Sequence, residues 1–321
     1  MAETADLLTI EFSKLANNDR SEVDRLLLAC KTHGFFYLSL TDEAFLATWN
    51  RALRFMDHYF DQNLETKMFD WKNSDTWGYE PIGTSAGAAK GQLDGYESFK
   101  VSRLEALARS GSQWLKANAK VALLDSLQQK SHAMTMTILR CLSDALHMEG
   151  DTRFEGCHRD GRPTRSTLAL FRYPKQTVKS NLIGHNKHTD LGTLTFLLCQ
   201  QWGLQVLSPQ TNRWGFVAPK KDHAIINVGD SLRFLSGNQL LSAVHRVVPL
   251  EEVQTINRHS IVYFLRAEDD VVYTNSNGAA VTAKEWHDEK FDVFRLTHDA
   301  QEVDTILCGG VERGEKIIAA A

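Results

Sequence analysis

The sequence predicts an α+β fold, in which a double-sheet jelly roll (double-stranded β-helix) is flanked by helices that are mainly N-terminal. Apolar residues recur mostly at helical spacing before about residue 150, whereas short β-rich runs separated by turn-forming residues follow residue 165. Many short strands at this spacing are typical of a sandwich or barrel and not of a parallel sheet. We expect residues 1–321 to form a single unit with a mostly helical region (1–150), a jelly-roll core (165–275) and a C-terminal helix (280–300).

Three elements are predicted in the first 60 residues. Ser21 is the predicted N-cap of a helix that ends at Gly34. The apolar run FFYLSL then predicts a strand. A second helix begins at Thr41 or Asp42, and apolar residues at helical spacing predict that one stripe of it packs into the core. The stripe consists of Phe45, Trp49, Leu53, Met56 and Phe60.

A segment rich in Gly, Ser and Ala separates these elements from the next helix. Residues 70–100 are predicted to be an irregular surface segment, and loops of this length are often functional. The longest helical pattern runs from Ser112 to about Met148, and Gly150 stops it.

Eight short β-rich runs follow residue 165 and predict the strands of the jelly roll. They are TLALFRY, TLTFLL, LQVLS, WGFVA, HAIINV, LRFL, HRVVP and HSIVYFL. The pattern then returns to helix in AKEWHDEKFDVFRLTHDA, which supplies the predicted C-terminal helix.

The composition indicates which binding partners and which cellular compartment to expect for this protein. The chain has 43% hydrophobic and 24% charged residues and a net charge of −4, with mixed signs and no basic stripe, so we expect no nucleic-acid partner. No apolar run is long enough to span a bilayer and the start has no secretory signal, which predicts no membrane association and a cytoplasmic location. The five cysteines form no C-x-x-C pair, which indicates buried, reduced thiols.

Two His-x-Asp pairs occur in different surroundings. His158 and Asp160 lie in a Gly- and Pro-rich loop, and we interpret them as a solvated chance match. His188 and Asp190 precede an apolar, β-branched run. Side chains at i and i+2 of an extended chain point the same way, so these two can converge on one metal ion. His245, at the start of another β-rich run, is the candidate third ligand.

The chemistry of this ligand set points to an open metal site. Two histidines and one carboxylate with vacant coordination positions are typical of non-haem Fe(II) oxygenases, whereas a structural zinc site is closed. Arg258 and Ser260 again stand at i and i+2 of a predicted strand. A guanidinium binds a carboxylate through two parallel hydrogen bonds, and a hydroxyl can add a third. His185 is expected on a loop, out of register for the metal.

The order of short motifs along the chain resembles the Fe(II)/2-oxoglutarate-dependent dioxygenase family. The motifs FRYP, HTD, GLQVL, INVGD, HRVV and R-x-S follow one another, and the isopenicillin N synthase-like branch is the most similar. The segments ACKTHGFFYLSL and GYEPIGT…GYESF resemble two N-terminal segments of that branch. The resemblance covers roughly residues 8–275.

The resemblance implies cofactors and residue roles. It implies three Fe(II) ligands: His188, Asp190 and His245. It also implies 2-oxoglutarate and O2 as co-substrates, with Arg258 and Ser260 on the distal carboxylate of 2-oxoglutarate and the Tyr173 hydroxyl in the same pocket. Many family members have an asparagine two residues before this tyrosine, where this chain has Phe171.

The implied reaction is the oxidation of a C–H bond by a single dioxygenase unit. Hydroxylation is the simplest outcome, and desaturation or ring rearrangement are further ones. The ordinary charge and the aromatic-rich β half favour a small, largely apolar secondary metabolite as substrate. Two alternatives remain open: an oxidase of the isopenicillin N synthase type that uses O2 without 2-oxoglutarate, and a non-catalytic small-molecule-binding relative. The sequence does not predict the oligomeric state.

Two segments are expected to cover the substrate pocket. They are residues 78–99 and the helix around 283–297, which are the usual covering parts in this family. Arg266, Phe264 and Tyr79 are candidates for its lining.

Overall fold

The structure is a computed structural model that describes residues 3–88, 90–110, 119–176, 184–251 and 253–311. Its α-helices are α1 (Phe12–Ala16), α2 (Arg20–Thr32), α3 (Glu43–Phe60), α4 (Leu64–Met68), α5 (Arg103–Arg109), α6 (Ala119–Ala145), α7 (Asp230–Leu235), α8 (Ala283–Phe294) and α9 (His298–Val303). Residues 112–118 of the predicted long helix lie outside the described residues. The rest of that helix is α6, which ends at Ala145, a few residues before the predicted stop.

Side-chain caps begin helices α2 and α3. The side chain of Asp19 accepts the backbone N–H of Glu22 and begins α2, so the prediction of Ser21 as N-cap was wrong. The helix ends before Gly34, whose φ of +66° lies in the left-handed region that favours glycine. The side chain of Asp42 accepts two backbone N–H groups of α3, as predicted.

The strands form two main sheets and one small ribbon. They are β1 (Thr9–Glu11), β2 (Phe35–Ser39), β3 (Gly78–Glu80), β4 (Glu97–Ser102), β5 (Thr167–Tyr173), β6 (His185–His188), β7 (Leu194–Leu198), β8 (Leu204–Leu207), β9 (Trp214–Phe216), β10 (His223–Val228), β11 (His245–Val247), β12 (Arg258–Leu265), β13 (Val272–Thr274) and β14 (Ala280–Thr282). The large sheet has the order β1-β2-β10-β7-β12-β5-β4-β3, the second sheet β6-β11-β8-β9, and the ribbon β13-β14. Apart from the parallel β1–β2 pair, the strand pairs are antiparallel.

Successive side chains of the central strands point to opposite faces of the large sheet. One face packs against the helices, and the other faces the interior of the jelly roll. On β12, Ile261, Tyr263 and Leu265 join a core cluster that includes buried residues of α2, α3 and α6. Val262, which alternates with them, joins a second cluster built from both sheets. The predicted stripe of α3 packs into the first cluster, with four residues buried and Leu53 partly buried.

Three sequence predictions about elements need correction. Residues 70–100 are not wholly irregular, because β3 and β4 lie there and extend the large sheet. The run LRFL is part of helix α7 and not a strand. The predicted C-terminal helix is two helices, α8 and α9, and Thr297 caps the second.

Two further features concern the state of the cysteines and the character of the described helices. The five cysteines are free thiols, and all except the half-buried Cys157 are buried. None of the described helices combines the length and the apolar character needed to cross a membrane. The division of the chain into one unit and the cytoplasmic location stay predictions.

Candidate active site between the two sheets

A cavity of about 350 Å³ lies between the two sheets. Strands β5, β7, β10 and β12 of the large sheet and β6, β8 and β11 of the second sheet contribute to its lining. Residues of the segment 80–96 and of helix α8 complete the wall, so the two predicted covering segments do border the cavity.

The candidate metal ligands meet at one side of this cavity. His188 on β6 and His245 on β11 are partners across an antiparallel strand pair, and Asp190 follows β6 by two residues. Asp190 Oδ1 lies 3.6 Å from His188 Nε2 and 3.8 Å from His245 Nε2. One ligand atom from each residue lies within 4.8 Å of the others. Atoms this close can all reach one ion at ligand lengths of about 2.0–2.2 Å.

Backbone carbonyls orient both imidazoles. The carbonyl of Asn186 accepts from His188 Nδ1 at 2.8 Å, and that of Ala243 accepts from His245 Nδ1 at 3.3 Å. A proton on Nδ1 leaves the Nε2 lone pair free for a metal. Burial, and next the neighbouring His188, lowers the pKa of His245 to about 4, so this imidazole is neutral at pH 7, as ligation requires.

The two oxygens of Asp190 have different partners. Oδ2 accepts from the Thr195 hydroxyl at 2.5 Å and from the Asn227 amide at 2.7 Å, whereas Oδ1 faces the histidines. Burial by itself would raise the pKa of Asp190, but His245, His188 and the Asn227 amide outweigh it and hold the pKa well below its ordinary value. The carboxylate is therefore ionised and presents one oxygen to a metal.

Arg258 presents an unsatisfied guanidinium to the cavity. The side chain is 2% exposed, and its Nε donates to the carbonyl of Trp202 at 2.9 Å. Nη1 has no hydrogen-bond partner among the described residues. Gly203 allows this approach: its φ is +130°, and a Cβ there would lie 2.9 Å from Arg258 Nε. Because an unpaired buried guanidinium is costly, this arrangement favours an anionic ligand.

Ser260 and Tyr173 line the same cavity. Arg258 is paired with Tyr173 and Ser260 with Phe171 across β12 and β5, which places all four near each other. The Arg258 guanidinium carbon lies 5.0 Å from the centre of the Tyr173 ring. Phe171 fills its position with an apolar ring that contacts Tyr96 at a centroid distance of 5.2 Å.

Two candidate pocket residues are confirmed as lining and one is not. Phe264 and Arg266 line the cavity. Tyr79 lies instead in the N-terminal core, where its hydroxyl donates to Glu97 at 2.7 Å. The reason is its position on β3, whose pairing with β4 turns this side chain toward the helices.

The structure also corrects the predictions for two other histidines. His158 is buried and not solvated, because its ring nitrogens contact the Phe154 carbonyl and the Thr193 hydroxyl, each at 2.8 Å. His185 begins β6 and does not lie on a loop, and its ring centre is 4.4 Å from that of His188.

The sequence reasoning missed Thr195 and Asn227, which hold Asp190. Each is a polar residue within a run of apolar strand residues: Thr195 in LTFLL of β7, and Asn227 in AIINV of β10. These two strands are neighbours, and Thr195 is paired with Asn227. A polar residue at an inward-facing position of a buried strand could have indicated this role from the sequence.

Comparison with known proteins identifies the class. The family model of the 2OG-Fe(II) oxygenase superfamily matches residues 164–267, and that of the non-haem dioxygenase in morphine synthesis N-terminal region matches residues 7–119. The chain belongs to the 2OG-Fe(II) oxygenase superfamily. It is an oxidoreductase that uses Fe(II) and 2-oxoglutarate, which confirms the predicted family and cofactors.

Three similar relatives in this class are fungal proteins. The chain is 50% identical to the 2-oxoglutarate-dependent dioxygenase frbH of a Dothideomycetidae species, over 97% of each chain. It is 44% identical to the 2-oxoglutarate-dependent dioxygenase gloE of Glarea lozoyensis, over 99% of this chain and 96% of that one. The oxidoreductase vrtI of Penicillium aethiopicum is 50% identical, over 98% of this chain and 76% of its own length.

Solved structures agree on the fold. A 2OG-Fe(II) oxygenase family protein from Caulobacter crescentus matches with a TM-score of 0.73 and 24% identity, over 90% of this chain and 99% of that one. A full-length Neurospora crassa protein, solved in complex with alpha-KG and thymine, matches with a TM-score of 0.68 and 20% identity, over 89% of this chain and 97% of that one. The predicted α+β fold with a jelly-roll core is thereby confirmed.

Proposed function

We propose that this protein oxidises a C–H bond of a small organic molecule while it converts 2-oxoglutarate and O2 into succinate and CO2. We assign three residues as Fe(II) ligands: His188, Asp190 and His245. We assign three others to the distal carboxylate of 2-oxoglutarate: Arg258, Ser260 and Tyr173. One observation carries the proposal: a cluster of three ligand atoms and an unpaired, buried guanidinium line the same cavity.

The residues that line the cavity fit both Fe(II) and 2-oxoglutarate. Two imidazoles and one carboxylate are the donor set of non-haem Fe(II) oxygenases, and they leave coordination positions open. The unsatisfied Nη1 of Arg258 fits a carboxylate, because a guanidinium can bind both carboxylate oxygens in parallel. The loss of an asparagine at Phe171 leaves this carboxylate anchor intact.

The protein contributes position, charge and exclusion of water. Iron and 2-oxoglutarate, when bound, activate O2 and supply the oxidant that attacks the C–H bond. Asp190 stays ionised because His245, His188 and the Asn227 amide favour its charged form, and Thr195 and Asn227 fix its second oxygen. Arg258 fixes one end of the co-substrate, and the ring of Phe171 keeps water away from the cavity.

The lining supports a small, largely apolar substrate. Aromatic side chains from β5, β12 and α8 line the cavity: Phe171, Phe264, Phe291 and Phe294. We propose a secondary metabolite as substrate, in keeping with fungal relatives that include the clavatol oxidase claD of Penicillium crustosum. We propose no nucleic-acid or membrane partner.

The test is an anaerobic titration followed by exposure to air. Wild-type protein with Fe(II) should give the visible charge-transfer band of iron-bound 2-oxoglutarate and should release succinate when air is admitted. His188→Ala should abolish both signals. Arg258→Lys should weaken 2-oxoglutarate binding by about tenfold or more, because an ammonium cannot form the bidentate pair.

The control is His223→Ala, since this histidine lies at the start of β10 and outside the cavity lining. It should leave both signals unchanged. A wild-type protein that binds Fe(II) and consumes O2 without binding 2-oxoglutarate would contradict the proposal and favour the isopenicillin N synthase type. Succinate release that persists in His188→Ala would contradict the ligand assignment.

A further inference from the structure

We propose that Arg266 binds a carboxylate of the primary substrate, so that the substrate is a small organic monocarboxylate. This inference rests on the proposed function, because it presumes that 2-oxoglutarate occupies Arg258. It adds a binding residue and a substrate class to that function.

Arg266 and Arg258 lie at opposite ends of one strand face. Both line the cavity, and so do the residues that alternate between them: Ser260, Val262 and Phe264. At about 3.3 Å per residue the two arginines are separated by roughly 26 Å of backbone, so one small carboxylate cannot contact both. Arg266 also lies next to the metal-ligand loop, which is the segment 189–193 between β6 and β7, because a Cβ at Gly192 would be 2.9 Å from Arg266 Cγ.

No carboxylate in the described part of the chain forms an ion pair with the Arg266 guanidinium. The residue is 6% exposed, its Nη1 donates to the Arg165 carbonyl at 2.7 Å, and its Nε has no hydrogen-bond partner among the described residues. Among the described carboxylates, none forms an ion pair with it within 4.0 Å, and Asp190 and Asp75 attract it only from a longer range. Burial lowers the pKa of Arg266 to about 10, so it is still charged at neutral pH. A buried, charged and unpaired guanidinium is costly without an anion.

The other cations of the cavity wall are already neutralised. Lys100 pairs with Glu80 at 2.8 Å, and Arg295 pairs with Asp75. Arg258 is reserved for 2-oxoglutarate under the proposed function. Among the described residues, Arg266 is therefore the cation of the cavity wall that remains to bind a substrate.

Neighbouring residues hold Arg266 in position. His287 Nδ1 contacts Asp288 Oδ1 at 3.0 Å, and His287 Nε2 lies 3.4 Å from Arg266 Nη1. If Asp288 accepts from Nδ1, then Nε2 accepts from the guanidinium. The guanidinium carbon lies 5.4 Å from the ring centre of Phe264 and 5.7 Å from that of Phe291.

A charge count agrees with a monoanionic substrate. Divalent iron, the Asp190 carboxylate, dianionic 2-oxoglutarate and the Arg258 guanidinium sum to no net charge. Arg266, which is itself buried, adds one positive charge to the cavity wall. One carboxylate on the substrate restores neutrality, and its two oxygens match the planar fork of the guanidinium.

Matched ligand pairs test this inference. The protein is loaded with Mn(II) and saturating 2-oxoglutarate, and binding is measured by calorimetry for three acids, each with its primary amide: 3-phenylpropionate, indole-3-acetate and octanoate. We expect wild-type protein to bind at least one acid about tenfold more tightly than its amide, the size expected for a charge-assisted hydrogen bond. Arg266→Gln should reduce the preference to about twofold or less, and Arg266→Lys should keep part of it.

Arg140→Gln is the control, since it removes an arginine on α6 that lies outside the cavity lining. It should keep the acid preference. The thermal midpoint of metal-free Arg266→Gln should equal or exceed that of wild type, because the variant removes an unpaired buried charge.

Two outcomes would overturn the inference: no acid is preferred over its amide in wild type, or the preference survives in Arg266→Gln. A lowered thermal midpoint together with a surviving preference would assign Arg266 a structural role. The same titrations report 2-oxoglutarate binding separately. If 2-oxoglutarate itself does not bind, the proposed function fails; if it binds and no acid is preferred, only the assignment of Arg266 fails.

Discussion

The two oxygens of the Asp190 carboxylate have different roles in the site. One oxygen faces the two imidazoles, and the other is held by Thr195 and Asn227. Hydrogen bonds to the outer oxygen fix the carboxylate rotamer and hold the inner oxygen in position. Partners of this kind typically change metal affinity by about 10–100-fold when they are removed.

We therefore expect Thr195→Val to weaken Fe(II) binding by about 10–100-fold. Valine has nearly the same shape as threonine but cannot donate to Asp190 Oδ2. Anaerobic equilibrium titration with Fe(II) measures the effect. Thr195→Ser keeps the hydroxyl and should bind Fe(II) nearly as wild type does, so equal weakening in both variants would show that packing, and not the hydrogen bond, is responsible.

The residues that could be predicted from the sequence are those with a spacing signature. His188 with Asp190, and Arg258 with Ser260, each stand at i and i+2, a spacing that lets two side chains of an extended chain point the same way. Arg258 could be recognised as inward because an apolar run follows it. Thr195 and Asn227 carry no such signature, since their contact with Asp190 depends on which strands are neighbours.

At the scale of elements, a buried ion pair fixes helix α8 to the metal-ligand loop. Lys290 on α8 and Asp230 on α7 are both fully buried, and Lys290 Nζ lies 2.5 Å from Asp230 Oδ2 and 2.7 Å from Thr189 Oγ1. Thr189 stands between two of the proposed ligands. The backbone N–H of Asp230 donates to the Asp190 carbonyl at 2.7 Å, which adds a second connection.

Lys290→Met should destabilise the protein by about 3 kcal/mol, because it removes the nearer cation of the buried Asp230 carboxylate and leaves, among the described cations, only Arg233, 3.9 Å from Oδ1. Chemical denaturation measures the free energy of unfolding. The control on the same helix is Lys284→Met, whose partner Asp288 is solvent-exposed and whose loss should cost about 0.5 kcal/mol or less. Equal effects of the two substitutions would contradict this account of the helix.

A second ion pair links the loop after α6 to the segment after β12. Glu268 is buried, and it accepts from the Arg159 side chain at 2.6 and 2.8 Å and from the Arg159 backbone N–H at 2.8 Å. The hydrogen bonds from Arg159 hold the pKa of Glu268 at about 2, below its ordinary value of 4.5. A lowered carboxyl pKa stabilises the fold above pH 4.5, and this stability is lost as the pH falls toward 2.

Glu268→Gln should therefore be less stable than wild type at neutral pH, and the difference should shrink between pH 4.5 and about 2. Urea unfolding at a series of pH values measures this difference. Arg159 is itself exposed, so the comparison uses the pH dependence and not an absolute energy. A difference that is constant across this range would show that the charge of Glu268 is not involved.

Element prediction failed at the run LRFL, where contacts distant in sequence fix the start of a helix. The run LRFL was predicted as a strand because it follows other short apolar runs, yet it lies in α7, and its leucine and arginine residues favour a helix. The Ser231 hydroxyl donates to the Leu191 carbonyl, and a Cβ at Gly229 would lie 2.2 Å from the Gly192 carbonyl oxygen. These contacts tie the first turn of α7 to the loop that carries Asp190. None of them is local in sequence, so periodicity cannot predict them.

At the scale of the whole molecule, the site joins the two sheets. The proposed Fe(II) ligands come from the second sheet and its following loop, whereas the proposed 2-oxoglutarate residues come from the large sheet. Apart from LRFL, every β-rich run predicted after residue 165 coincides with a strand. The strand order could not be read from the sequence, because pairing joins segments that are far apart along the chain.

Fe(II) and 2-oxoglutarate should together stabilise the folded molecule. A ligand that binds only the folded state adds about 2.7 kcal/mol at a free concentration of about 100 times its Kd. The thermal midpoint under anaerobic conditions should therefore rise with both ligands present and fall again with a chelator. His188→Ala should show no rise with Fe(II), and a rise equal to that of wild type would contradict the assigned ligand.

The most direct test of the central claim is a crystal structure of the protein grown anaerobically with Fe(II) and 2-oxoglutarate. We expect one iron peak in the anomalous map at about 2.0–2.2 Å from His188 Nε2, Asp190 and His245 Nε2. We also expect the distal carboxylate of 2-oxoglutarate on Arg258. An iron bound elsewhere, or bound by fewer than these three side chains, would contradict the account.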